Sequence, residues 1–107
     1  MNAETLKGHL DLLLLAAVQS RPSHGYAIAE RLRARSDGAF DLPEGTLYPA
    51  LHRLERAGLL SSRWSAVNGR RRRVYQLTRK GHRALAKRHR EWRDFARAVH
   101  GVVEGPA

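Results

Sequence analysis

Two parts of this sequence carry the residues best suited to chemistry: four consecutive arginines, Arg70 to Arg73, and the stretch LPEGTLYPALHRLERAGLL from Leu42 to Leu60. Arginine presents a planar fork of donors that fits phosphate oxygens and guanine edges, so the chemistry on offer is recognition of anions. Within the stretch, Ala50, Leu51 and Leu54 fall within about 60° of Leu47 at about 100° per residue, which makes one apolar helical face. Thr46, Pro49, His52, Arg53 and Arg56 occupy the opposite side. Small Gly45, Thr46 and Pro49 would let the N-terminal end of such a helix approach base edges, its dipole favouring a nearby phosphate. His52, Arg53 and Arg56 would supply donors along the same face. A solvated surface helix, and a solvated charge run or localisation tag at Arg70 to Arg73, are the plain alternatives, and the spacing alone leaves both open.

Composition narrows the partners. The chain has 107 residues, room for one domain with one core and an arm that borrows burial from a partner. Hydrophobic residues make up 42%, too many for a wholly disordered chain. Twenty Lys+Arg against ten Asp+Glu give a formal net charge of +10, which favours nucleic acid first and an acidic membrane surface second. With no cysteine, disulfides, thiolate nucleophiles and Cys-based zinc sites are excluded. The apolar run Leu12 to Val18 is too short to span a bilayer, and Glu4, Lys7, His9 and Asp11 before it are unlike a signal peptide. The expected address is the cytoplasm. His82 and His89, or His52 and Glu55, group no three metal ligands, and no nucleophile elbow, P-loop or dinucleotide glycine pattern is present. No metal, cofactor or enzymatic activity is expected.

Several elements must hold the basic residues in place. Leu6, Leu10, Leu13, Leu14, Ala17 and Val18 follow helical spacing from Leu6 to Gln19, with Leu12 and Leu15 on a second face, so this helix is expected to be covered on two sides. Ser20-Arg21-Pro22 ends it. Ser23 is placed to cap a second helix in which Tyr26, Ile28, Ala29 and Leu32 turn inward while Glu30, Arg31, Arg33 and Arg35 face water. Ser36-Asp37-Gly38 breaks that helix. The LPEGTLYPAL stretch supplies the third, and because Pro49 is tolerable in a first turn, the start falls near Gly45 or Thr46. A capping box from Asp41 and Glu44 competes, and Gly58 stops the helix. Leu59 to Val67 and Arg72 to Thr78 read as strands around Asn68-Gly69, a tight-turn dipeptide. A last helix runs from about Arg79 to His100, and Gly101 to Ala107 is expected to fray.

Three short helices, a two-stranded hairpin and a long helix on so basic a chain suggest a winged helix-turn-helix. In that unit the third helix enters the DNA major groove and the hairpin, or wing, lies along the backbone. The expected fold class is mainly α with a small β-hairpin, with residues 1–78 as the DNA-binding domain and 79–107 as a C-terminal dimerisation helix and tail. LPEGTLYPALHRLERAGLL and GRRRRVYQLTRKGHRAL, together with LKGHLDLLLLAAV and HGYAIAERL, resemble the PadR-like transcriptional regulators over roughly Leu6 to Trp92. The resemblance implies a bacterial regulator, usually a repressor, that works as a homodimer on double-stranded DNA. It carries Thr46, Tyr48 and Arg53 into the part of the motif that meets DNA and puts Tyr26 in the second helix. Tyr48 lies about 100° from Leu47, on the flank, which suits a phosphate contact. The expected DNA-facing set is therefore Tyr26, Gly45, Thr46, Tyr48, Pro49, His52, Arg53, Arg56 and Arg70, Arg71, Arg72 and Arg73. Four arginines make the wing more basic than the motif needs.

The last helix carries Leu85, Trp92 and Val99 at sevenfold spacing with His89, Phe95 and Ala96 between them. One helix cannot bury these alone, so they are expected to form a dimer interface, with Leu6 and Leu10 of the first helix assisting. Some short members of the resembled family bind flat aromatic effectors between paired tryptophans at this place, which makes Trp92 and Phe95 candidates for an effector site as well as for plain packing. Two rival readings stand beside the regulator: a sequence-indifferent architectural or RNA-associated binder, which the charge fits equally well, and an adaptor module, which leaves the basic wing unused.

Overall fold

The computed structural model describes residue 6 and residues 8–106; Lys7 in the expected opening motif and Ala107 in the expected tail lie outside the described residues. The chain is mainly helical with one small antiparallel sheet of three strands. Helix α1 (Leu10–Gln19) begins later than the periodicity from Leu6 predicts, after a turn closed by the His9 N–H on the Leu6 carbonyl at 3.0 Å. Gly8, costly to fix in a helix, lies in that turn. Leu14, Leu15, Ala17 and Val18 enter the core, while Leu12, Leu13 and Ala16 face the other way and stay half-buried. Leu15 thus belongs to the core rather than to the second face.

Strand β1 (Ser23–His24) pairs with β3 (Arg70–Leu77) through Ser23 opposite Tyr75 and His24 opposite Val74, and β3 lies between β1 and β2 (Leu60–Val67) in the sheet. The two-stranded hairpin expected from sequence therefore gains a third strand. Two residues ahead of a helix carry no periodic signal of their own. His24, not Ser23, caps helix α2 (Gly25–Arg35), its Nδ1 lying 3.3 Å from the Ala27 nitrogen, while the Ser23 hydroxyl donates to the Arg21 carbonyl. Ile28 and Leu32 are buried as expected, but Tyr26 is 66% exposed. Two residues along a helix are about 200° apart, so Tyr26 and Ile28 cannot share the core face. Arg31 also departs from the expected solvated face: it donates to the Ala17 carbonyl and, at 3.0 Å, to the Ser23 hydroxyl, tying α2 to the end of α1.

Helix α3 (Glu44–Arg56) buries Leu47, Ala50, Leu51 and Leu54, the face read from the spacing. It starts at Glu44, earlier than Gly45 or Thr46, and no side chain caps it; the Thr46 and Leu47 N–H groups donate to the Pro43 carbonyl at 3.0 Å. Pro49 consequently sits inside the helix, past the first turn, and forfeits the bond to the Gly45 carbonyl. Exposed Gly45 leaves that carbonyl open to solvent. At the other end Gly58 takes φ of +79°, the Leu59 N–H reaches the Leu54 carbonyl and the Gly58 N–H reaches Glu55, which is the glycine-dependent helix stop.

Strands β2 (Leu60–Val67) and β3 form the hairpin, with Asn68 and Gly69 at φ of 54° and 74° in the tight turn. A two-residue turn leaves its neighbours paired, so Val67 stands opposite Arg70 and all four arginines lie in the strand, which begins two residues before the expected Arg72. Helix α4 (Arg79–Glu104) is 26 residues long. It continues through Gly101 to Glu104, beyond the end that the sequence predicts; His100 and Glu104, one turn apart, pair at 2.8 Å. Thr78 caps its start, accepting from the Gly81 N–H at 2.9 Å and donating to the Gly58 carbonyl at 2.6 Å. The core collects residues from every layer, including Leu14, Ile28, Leu51, Leu54, Leu60, Tyr75 and Leu85.

Candidate nucleic-acid interface

At about 100° per residue from Leu47, the outermost positions of α3 are Gly45, Pro49, His52 and Arg56. All four are exposed. Thr46 and Tyr48 are half-buried on opposite flanks. The flanks are the parts of the helix that the rest of the molecule grips. On the wing side, the Ser62 hydroxyl donates to Glu55 at 2.5 Å, Arg73 Nε donates to that hydroxyl at 2.8 Å, and an Arg73 Nη lies 3.6 Å from the Glu55 carboxylate. Arg73 is thus partly an anchor between wing and helix. Burial, and then Glu55, raise the pKa of the Tyr75 phenol beneath this contact.

On the other flank both Nη atoms of Arg53 donate to the Asp11 carboxylate, at 3.0 and 2.8 Å. Sequence reasoning expects Arg53 free to reach a guanine; in the structure its fork is occupied by a residue of α1. The signal for that partner, a lone aspartate 42 positions earlier, is not local.

Between α2, α3 and the wing lies a cleft of about 410 Å³ lined by His24, Gly25, Tyr26, Tyr48 and Arg70 to Arg73. The sequence places Tyr26, Tyr48 and the arginines in a DNA-facing set from three separate segments, and the fold brings them to one concavity. Among the described residues no carboxylate lines it. Gly25 makes the arrangement possible: a Cβ there would meet the Tyr48 ring at 2.6 Å and its hydroxyl at 2.7 Å. Arg72 Nη1 lies 2.9 Å from His24 Nε2, and burial followed by the Arg72 charge lowers the His24 pKa. His24 and Gly25 belong to the site although spacing arguments passed over them; the HGYAIAERL segment contained them. Farther along the hairpin face that carries Ser62 and Tyr75, Trp64 is 55% exposed and supports the Arg71 and Arg73 guanidinium groups at 4.8 and 5.2 Å from its ring centre. Arg70 and Arg71 are the exposed members of the run, and Arg72 and Arg73 are half-buried.

The second group of expected residues lies elsewhere. Leu85 is buried in the core, Ala96 is half-buried, and Trp92, Phe95 and Val99 are 44%, 62% and 42% exposed. His89 is exposed and Leu10 half-buried. Leu6, Leu12, Leu13, Phe40, Leu85 and Trp92 help line an open, mainly apolar groove of about 790 Å³ between α1 and α4. Among the described residues no group of three or more His, Asp or Glu side chains could hold a metal ion, and no helix is long and apolar enough to cross a membrane.

Comparison with known proteins places this geometry. Residues 14–87 match the model of the Transcriptional regulator PadR-like family. The Transcriptional regulator Rv3488 of Mycobacterium tuberculosis is 44% identical over 78 residues, which are 73% of this chain and 70% of that protein. A transcriptional regulator from Clostridium thermocellum has a TM-score of 0.87 at 26% identity, covering 96% of this chain and 98% of the other. A PadR family transcription regulator from hypervirulent Clostridium difficile R20291 has a TM-score of 0.76 at 35% identity, covering 92% of this chain and all of its own. The family match runs from Leu14 in α1 to Lys87 in α4 and so takes in α3, the cleft and the wing: the chain belongs to the PadR-like family of transcriptional regulators.

Proposed function

We propose that the protein is a homodimeric repressor that recognises a pseudo-palindromic operator, acting in the cytoplasm. Two α3 helices enter successive major grooves about one helical turn apart, Gly45, Thr46, Pro49, His52 and Arg56 meet base edges, and Tyr26, Tyr48 and Arg70 to Arg73 hold the flanking backbone. The observation that carries this reading is a cleft, lined by no carboxylate among the described residues, in which two tyrosines and four arginines from three elements converge beside the exposed face of α3. The exposed stripe of Trp92, Phe95 and Val99 supports assembly through α4, assisted by Leu6, Leu10, Leu85, His89 and Ala96. A planar aromatic effector stacking on Trp92 and Phe95 would separate the α4 helices, and the two reading helices with them. Repression follows from occlusion of the promoter.

Selection from a random duplex library tests the proposal. The expected product is an enriched sequence with two inverted half-sites roughly 10 base pairs apart. Arg70→Ala with Arg71→Ala should then weaken the selected and a scrambled duplex by similar factors, and shrink the slope of log K against log salt by about one to two. No enrichment, with equal affinity for all duplexes, would instead identify a sequence-indifferent binder.

A further inference from the structure

The Arg53–Asp11 pair has a geometry that decides what Arg53 does. Measured from Leu47, Arg53 lies at about 240°, roughly 60° away from Arg56 at the centre of the outward face and toward the flank where α1 passes. Both Nη atoms of its guanidinium are engaged in a fork-to-fork contact: Nη1 donates to Asp11 Oδ2 at 3.0 Å and Nη2 to Oδ1 at 2.8 Å. That two-bond arrangement fixes orientation as well as distance. Asp11 is itself well held. Its side chain is only 20% exposed, against 51% for Arg53, it occupies the first turn of α1, where a helix favours negative charge, and Arg88 of α4 approaches the same carboxylate at 3.7 Å. The opposite flank of α3 is gripped through Glu55 by Ser62 and Arg73. The helix is thus restrained on both sides of its outward face, while Gly45, Pro49, His52 and Arg56 on that face take part in none of these restraints.

We propose that Arg53 is a positioning residue rather than a base reader: with Asp11 it sets the rotation of α3 about its own axis, and Arg88 ties the same carboxylate to α4. The inference rests on the reading of α3 as the helix that enters DNA. It differs from a base-reading role in consequences that can be separated. If Arg53 read a guanine, Asp11 would compete with DNA for it, and removing the carboxylate charge would tighten binding. If Arg53 positions the helix, Asp11 and Arg53 act as one unit, and losing either is equivalent to losing both.

The test is a double-mutant cycle on the full chain with the selected duplex as probe, using Asp11→Asn, Arg53→Gln and the two together. Each single change is expected to weaken binding about three- to tenfold, with the double no weaker than the worse single. The log K against log salt slope should be unchanged, because no phosphate contact is lost, and a panel of singly substituted duplexes should keep its order of preference. Tighter or unchanged binding by Asp11→Asn, or relaxed preference at one base pair in Arg53→Gln, overturns the proposal. Arg53→Lys, which keeps the charge and the packing but loses the fork, covers the case in which Asp11→Asn fails to fold; a loss near that of Arg53→Gln is expected, and wild-type affinity overturns the idea. His52→Ala and Arg56→Ala run in parallel. If neither changes affinity or preference, the assignment of α3 as reading helix fails, and the role of Arg53 with it.

Discussion

At His24 a single imidazole meets two donors, the Ala27 N–H near Nδ1 and the Arg72 guanidinium near Nε2. A neutral ring has one acceptor nitrogen, so only one of these contacts is a hydrogen bond at a time. Protonation would satisfy neither, and burial, followed by the Arg72 charge, holds the pKa below the ordinary 6.5. Arg72 lies against the ring and the Tyr26 ring stacks on it at 6.4 Å, while Arg70, Arg71 and Arg73 from β3 and Tyr48 from α3 line the same cleft. A phosphate in the cleft reverses the balance, because Nε2–H and Arg72 can then share its oxygens. The two equilibria respond to pH in opposite senses. The folded pKa lies below the unfolded one, so the stability contributed by neutral His24 is present above 6.5 and is lost as pH falls through the lower folded value. DNA bound in this cleft would raise the pKa and take up protons, so affinity should grow as pH falls. Between about pH 7.5 and 5.5, thermal stability should decline while duplex affinity rises, and His24→Gln should shrink both trends. Melting curves and binding isotherms at constant ionic strength check this, and a His24→Gln variant that keeps the wild-type pH dependence of affinity rules out His24 as its source.

At the scale of elements, the fold depends on one close approach. The first turn of α4 lies against the backbone where α3 hands over to β2, and a Cβ on buried Gly81 would collide with the Leu59 carbonyl oxygen. Thr78 and Lys80 reinforce the junction, bonding to the Gly58 and Ala57 carbonyls. Gly81→Ala should force α4 away from this seat and destabilise the protein by about 1–3 kcal/mol, measured by chemical denaturation, whereas Gly69→Ala strains only an open turn. An unchanged midpoint for Gly81→Ala would mean that the junction yields freely. Elements with a period or a stop were legible in the sequence: the core face of α3, the Gly58 stop, the Asn68-Gly69 turn and the long α4. What escaped were contacts made at a distance. The two-residue strand β1 exists only because β3 lies beside it, and the inward Arg31 and the Asp11 partner of Arg53 are set by neighbouring helices. The same holds for the candidate site. The arginine run was visible by type and position and Tyr48 through the family resemblance, but His24 entered through the geometry of three elements meeting.

The whole molecule is too long for its size. The radius of gyration is 15.5 Å and the principal extents are 62 × 28 × 21 Å, whereas a compact chain of this length would have a radius near 13 Å. The excess is α4, about 39 Å of helix of which only Gly81 and Leu85 are buried. Along its free length Trp92, Phe95, Val99, Val102 and Val103 stand exposed, from 42% to 85%, which a monomer in water has no reason to keep on one projecting arm. A second copy would offer the same stripe in return, and a two-fold axis would let each α4 cover the other and the open groove beside α1. Because Leu85 belongs to the core, deleting α4 would confuse folding with assembly. Phe95→Glu with Val99→Glu avoids this, since both side chains lie beyond the buried end of the helix. The pair of changes should give a monomer by sedimentation, with the winged part still folded. Its duplex affinity should fall steeply, because two half-sites can no longer be held by one molecule and the gain from joint binding disappears. Wild-type melting should depend on protein concentration, and the variant should lose that dependence. A variant that still sediments as a dimer would move the interface off this stripe and leave the exposed aromatics of α4 to a different partner.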